Sequence, residues 1–215
     1  MNQQSPELPG GMFLFQWTLV TAAGWLVWTA ALGPALFAAF VAPLLSLPFL
    51  FTGSVPSLAI GVFQWLRLRQ YVRRASLWLL MTIVGGLISW WLIQRTTEDA
   101  WHTENGMVIG AITGTCQALV LARWGWRAAT WILASIAGWT TGWGVYSGSA
   151  LAESVRLFWD QVLMPNVGAG YLGRALVAGV VLGAITGFTM LWLLRQPMTR
   201  LKQRPQQTTR SLEST

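Results

Sequence analysis

The densest group of ionisable side chains in the sequence is Glu98, Asp99, His102 and Glu104. Carboxylates and an imidazole can bind a metal or carry a proton, but this spacing matches no metal-binding pattern, and the group falls in a loop between apolar runs. It reads as a solvated acidic loop. His102 is the only histidine and Cys116 the only cysteine. No imidazole therefore lies inside an apolar run to ligate a haem or relay a proton, and no internal disulfide is available. No nucleophile, base and orienting group stand together, and no glycine loop of the phosphate-binding type is present. The chain is read as not an enzyme, with no catalytic residue, no metal site and no cofactor.

The remaining candidates are uncharged. Gln64 and Gln117 each lie a few residues inside a basic boundary, in stretches free of charge. An amide placed in hydrocarbon requires a partner. Thr21, Thr82 and Ser135 occupy matching places on neighbouring segments, at comparable depth. Two readings are open: amide-to-hydroxyl bonds between helices, each contributing about 0.6–2 kcal/mol, or contacts to a ligand or pigment. Small residues form a second group. Gly110 and Gly114 make one G-x-x-x-G pair, and Gly179, Gly183 and Gly187 a longer series. Such spacing lets helix backbones approach closely, within one chain or against a partner subunit. Trp124 and Trp126, and Trp90, Trp91 and Trp101, suit anchoring at the two membrane boundaries. Trp25, Trp28, Trp139 and Trp143 fall within or late in the spans, where they pack or line an aromatic cavity.

The elements that must position these groups follow from composition and repetition. The chain has 215 residues, 54% hydrophobic and only 10% charged, with 15 tryptophans. Soluble domains average about a quarter charged residues, and several apolar runs here approach the ~20 residues that cross a bilayer as a helix. Alternating short segments of the β-barrel kind are absent. The class is an all-α integral membrane protein. The net charge of +7 sits beside apolar runs, where it reports orientation and does not imply nucleic acid.

Gly61, Gln64, Leu68, Arg74, Ala75, Trp78, Thr82 and Gly85 recur at one constant offset as Gly114, Gln117, Leu121, Arg127, Ala128, Trp131, Ser135 and Gly138. Each copy is a helical hairpin: a glutamine arm, a basic turn, a tryptophan arm. Trp17, Thr21 and Gly24 repeat the spacing of Trp78, Thr82 and Gly85, so the first span is a third tryptophan arm. The string G-A-I-T-G at Gly110–Gly114 returns at Gly183–Gly187, so the last span is a third glutamine arm, with Met190 in place of the amide. The expected fold is a bundle of six transmembrane helices from three related hairpins in circularly permuted order, the first and last spans forming the third.

The expected spans are residues 13–33, a glutamine arm ending near Arg67, then 76–94, 106–122, 128–146 and 171–194. Residues 34–56 are apolar, uncharged and proline-containing. Repeat symmetry favours a partial insertion there; a separate seventh span is the alternative. Residues 1–11 form an N-terminal tail without the basic start of a signal peptide, residues 12–196 the transmembrane domain, and residues 197–215 a flexible basic tail. Arg67, Arg69, Arg73, Arg74, Arg123, Arg127 and the basic tail fall on one side, which marks it as cytoplasmic and places both termini there. Residues 149–163 carry an apolar and a charged helical face, the pattern of a helix lying in the membrane interface.

The string G-V-F-Q-W-L-R-L-R at Gly61–Arg69, followed by R-A-S-L-W, resembles a group of uncharacterised multi-pass membrane proteins of cyanobacteria and filamentous anoxygenic phototrophs, built from repeated G-x-x-Q-W-L-x-L-R hairpins. The opening F-L-F-Q-W of the first span is similar to theirs, whereas Cys116-Gln117-Ala118 and Thr189-Met190-Leu191 depart from the pattern. The resemblance implies a bacterial inner or thylakoid membrane and carries over no activity. The expected function is a non-catalytic accessory or assembly subunit of a membrane complex, with the bilayer and membrane protein subunits as partners. A small-molecule binding or transport protein with a Trp-lined cavity is the alternative, and a pigment- or lipid-binding protein a third reading.

Overall fold

The computed structural model describes residues 10–41, 47–72, 74–96, 104–147 and 169–196; side chains at 31–56 are not discussed. Among these residues there are six α-helices and no strand: α1 (Gly11–Val41), α2 (Leu47–Leu68), α3 (Ala75–Thr96), α4 (Glu104–Val120), α5 (Ala128–Ser147) and α6 (Ala169–Arg195). A 3-10 segment, Ala122–Arg127, joins α4 to α5. It turns at Gly125, whose φ of 62° is open to glycine and strained for other residues. The loop segment 97–103, the expected interfacial helix at 149–163 and the two outermost tails lie outside the described residues.

Each helix packs on the next in chain order, and α6 packs back on α1. The six helices therefore close into a ring, with the first and last as neighbours. Residues 34–41 continue α1, and residues 47–56 open α2. The segment expected as a partial insertion thus contributes the end of α1 and the start of α2, and residues 42–46 lie outside the described residues. Pro34 lies inside α1, where proline removes one backbone bond; Pro48 sits in the first turn of α2, where its missing N–H has no partner to lose.

The surface is more apolar than parts of the interior. Leu133 and Phe188 are each 67% exposed, while Thr21, Gln64, Thr82, Thr113, Gln117, Ser135 and Thr186 are buried. Burying hydroxyls and amides while exposing leucine and phenylalanine is unfavourable in water and natural in a bilayer. Three helical stretches are long and apolar enough to cross a membrane: Gly11–Ala30, Ala75–Thr96 and Tyr171–Arg195. Ser57–Leu68 is apolar and shorter. The other arms carry many Trp, Gly, Thr and Gln residues, which lower their hydropathy.

Glycines set the helix spacing. A Cβ on Gly183 of α6 would stand 2.8 Å from Thr18 Cα of α1, and one on Gly179 would stand 2.5 Å from Ala22 Cα. These are backbone contacts that no side-chain rotation relieves, so the α1–α6 seam closes only with glycine there.

Candidate functional site, a polar and aromatic core

Two clusters fill the interior, one towards each end of the ring. The first lies at the end that carries the basic turns. It contains Trp17, Trp78 and Trp131 with Phe13, Leu68, Leu121, Met190 and Leu193. The three tryptophans come from equivalent places on α1, α3 and α5. Their ring centroids are 5.0–6.2 Å apart, and all three pairs meet edge to face. That geometry sets the positive ring edge against the negative face and adds about 0.5–1.5 kcal/mol per pair beyond burial. Together the indoles occupy the pseudo-threefold axis.

Each indole N–H has an acceptor. Trp78 Nε1 donates to Gln64 Oε1 at 3.2 Å, and Trp131 Nε1 donates to Gln117 Oε1 at 3.0 Å. The amide nitrogens then continue outward: Gln64 Nε2 donates to Thr21 Oγ1 at 3.3 Å, and Gln117 Nε2 to Thr82 Oγ1 at 2.8 Å. The Thr82 hydroxyl donates in turn to the Trp78 carbonyl at 2.7 Å. Trp131, Gln117, Thr82, Trp78, Gln64 and Thr21 thus form one connected series crossing five helices, from α5 to α1.

The third repeat is built differently. Met190, fully buried, takes the amide's place, and Trp17 Nε1 donates instead to Thr186 Oγ1, one turn earlier on α6, at 3.1 Å. The Thr186 hydroxyl passes its own proton to the Leu182 carbonyl at 2.7 Å. Neither glutamine amide reaches Ser135, whose side chain packs against Gly114. Four of the five sequence-singled polar residues are therefore joined in pairs, and Ser135 stands apart from them. The tryptophan donors and Thr186 were missed by sequence reasoning. Their signal was present: Trp17, Trp78 and Trp131 share one repeat position, and Thr186 precedes Gly187 as Thr113 precedes Gly114.

The glycines face inward to neighbouring helices. Gly110 and Gly114 lie on α5 at Ser135 and Ile136, and Gly187 on α1 at Trp17. Around the basic end stand Arg67, Arg69, Arg74, Arg127 and Arg195. The Arg67 guanidinium lies 5.5 Å from the Phe13 ring centre and 5.0 Å from that of Tyr71, with Nη2 donating to the Tyr71 hydroxyl at 2.8 Å.

The second cluster lies at the opposite end. It joins Trp25 and Trp28 of α1, Trp139, Trp143 and Tyr146 of α5, and Ala175, Ala178 and Leu182 of α6. It is not threefold. Trp25 and Trp139 hold the same repeat position, where α3 has Gly86 in contact with Ser57 of α2. Trp25 Nε1 and Trp28 Nε1 are buried and have no hydrogen-bond acceptor among the described residues. No group of three or more histidine, cysteine or acidic residues that would hold a metal occurs among the described residues. No protein-family model, no curated protein and no solved structure matches the chain.

Proposed function

We propose that the protein is a non-catalytic membrane scaffold, an accessory or assembly subunit of a larger membrane complex, crossing the bilayer six times with both termini in the cytoplasm. One observation carries this reading: the axial indoles of the basic half, the two amides and the threonines beside them bond to one another. The amides of Gln64 and Gln117 each hold a tryptophan with one end and a threonine with the other. Both the oxygen and the nitrogen of each amide join helices, and the axis between them is filled by indole rings. The outside of the ring offers a surface for recognition, with apolar side chains such as Leu133 and Phe188 exposed there. The six-span arrangement is supported by the closed ring of six consecutive neighbours and by the gathering of the described arginines of both hairpin turns and the α6 end at one end. The resemblance to phototroph proteins makes a photosynthetic complex the first assembly to test.

Extraction of the native membrane into nanodiscs, followed by crosslinking and native mass spectrometry, is expected to yield a reproducible larger assembly with defined partner subunits. Recovery of the lone chain, with no specific crosslink, overturns the scaffold reading.

A further inference from the structure

The two ends of the ring differ in charge. Among the described residues Glu104 is the only acidic side chain, and it opens α4 at the far end, where Arg95 and Arg174 also stand. At the basic end Arg67, Arg69, Arg74 and Arg127 have no carboxylate among the described residues to balance them. The tails, counted by sequence, add to the excess: Glu7 and Glu213 stand against Arg200, Lys202, Arg204 and Arg210. Arg67 is turned onto the protein. Its Nη1 donates to Gln70 Oε1 and its Nη2 to the Tyr71 hydroxyl at 2.8 Å, with the guanidinium over the Phe13 and Tyr71 rings. All these partners are neutral, so they hold the side chain and leave its charge uncompensated.

The other arginines face outward. Arg69 and Arg74 are exposed, one on each side of the turn between α2 and α3, and Arg127 is partly exposed at the start of α5. The Arg69 guanidinium lies 5.6 Å from the Trp65 ring centre, and that of Arg127 lies 6.0 Å from the Trp126 ring centre. A ring covers one face of a guanidinium and leaves its N–H edge for an oxyanion. Trp126 is itself 76% exposed. An amphipathic ring so exposed at a helix end suits the level of lipid headgroups. Apolar surface adjoins the charge: Leu66 precedes Arg67, Leu77 lies one turn beyond Arg74, and both are exposed. An acidic peptide or a nucleic acid matches the arginines but brings nothing to cover these leucines. An anionic phospholipid matches both. Phosphatidylcholine also carries a phosphate, but its quaternary ammonium adds a like charge to the arginines.

We propose that the basic end recruits anionic phospholipids into the lipid shell around it. Arg69, Arg74 and Arg127 donate to the phosphodiesters, Arg67 adds a fixed charge at the α2–α3 turn, and acyl chains lie along Leu66 and Leu77. The arginines thus choose the neighbouring lipids as well as orienting the chain. The proposal stands apart from the scaffold reading: a lone chain that retains such lipids supports the one while failing the other.

The full-length chain is reconstituted in nanodiscs of phosphatidylcholine with a minor share of phosphatidylglycerol of the same acyl chains. Both leaflets are alike, so the orientation of the chain does not enter. Native mass spectrometry after release counts the lipids each chain retains. Phosphatidylglycerol is expected to be enriched at least about fivefold over its share in the disc, the factor that one basic residue near an anionic surface supplies. The enrichment is expected to shrink in concentrated salt. Arg69→Gln/Arg74→Gln/Arg127→Gln is expected to bring it close to the bulk share, and Arg95→Gln/Arg174→Gln, at the far end, to leave it as in the parent. No enrichment in the parent overturns the proposal, and crosslinks from this end to an acidic partner segment then assign a protein instead. A folded triple variant that retains phosphatidylglycerol like the parent also overturns it, as does an equal loss in the far-end pair. Displacement by millimolar inorganic phosphate assigns a soluble oxyanion and overturns the lipid. Thermal melting checks folding. Should the triple variant not fold, unchanged enrichment in both Arg74→Gln and Arg127→Gln, measured separately, overturns the proposal.

Discussion

The two ends of this bundle began from the same repeat and have been treated differently. At the basic end, Trp17, Trp78 and Trp131 keep the threefold arrangement, and each N–H reaches an oxygen. At the far end the equivalent positions hold Trp25, Gly86 and Trp139, and the symmetry is lost. The constraint at the basic end is mutual. Three indoles around one axis each need both ring neighbours and an acceptor, so a change in one repeat demands compensation. Met190 shows such compensation: where the amide is missing, Trp17 takes Thr186. At the position equivalent to Trp25 and Trp139, α3 has glycine and lies close to α2 at Gly86 and to α4 at Gly85, whose Cβ would stand 2.7 Å from Thr113 Cα. The space on the other side is filled with large rings.

The largest way to test the contrast is to remove a ring from each end. Trp131→Ala is expected to lose about 3–5 kcal/mol of stability, the range for deleting a buried tryptophan, measured by denaturant unfolding in detergent. Trp139→Ala is expected to lose less, because its ring belongs to no threefold set. An equal or greater loss at Trp139 would break the comparison. A smaller effect comes from copying the third repeat into the second. Gln117→Met leaves the Trp131 N–H without its acceptor and is expected to destabilise by about 1–3 kcal/mol, with faster hydrogen exchange at that indole. Unchanged exchange would show that Gln117 is not its partner. The smallest effect sharpens the contrast from the other side. Trp25→Phe in phosphatidylcholine removes an orphan donor while keeping an aromatic ring, and the expected change is within about 1 kcal/mol. The same substitution at Trp78, which has an acceptor, is expected to cost more, because it strips Gln64 Oε1 of its donor.

Much of the architecture was legible in the sequence, and the reason is physical. A hairpin that must bury the same stripe against equivalent neighbours retains its Gly, Gln, Trp and Thr spacing, so the repeat exposed both the arms and the adjacency of the first and last helices. The depth of Gln64 and Gln117 suggested hydroxyl partners, and the structure pairs them with Thr21 and Thr82. The second partner of each amide was not legible, because an indole N–H meets an acceptor only in a particular side-chain rotamer, which spacing does not reveal. The replacement at Thr186 was hidden for the same reason: one turn of displacement on α6 leaves the repeat pattern untouched. The first helix runs past Pro34 to Val41, beyond the expected span of 13–33.

The bond from Trp17 to Thr186 spans 169 positions of the chain. During synthesis α1 is made first and its partner α6 last. Until α6 arrives, the N–H of Trp17 and the α1 backbone at Thr18 and Ala22 have no protein to meet. Long-range closure of this kind is slow to form. A nascent chain cut short before Thr186 presents that uncovered seam to the surrounding bilayer. The ring thus carries its own proof of completion, since only a full-length chain can hide the first helix it made.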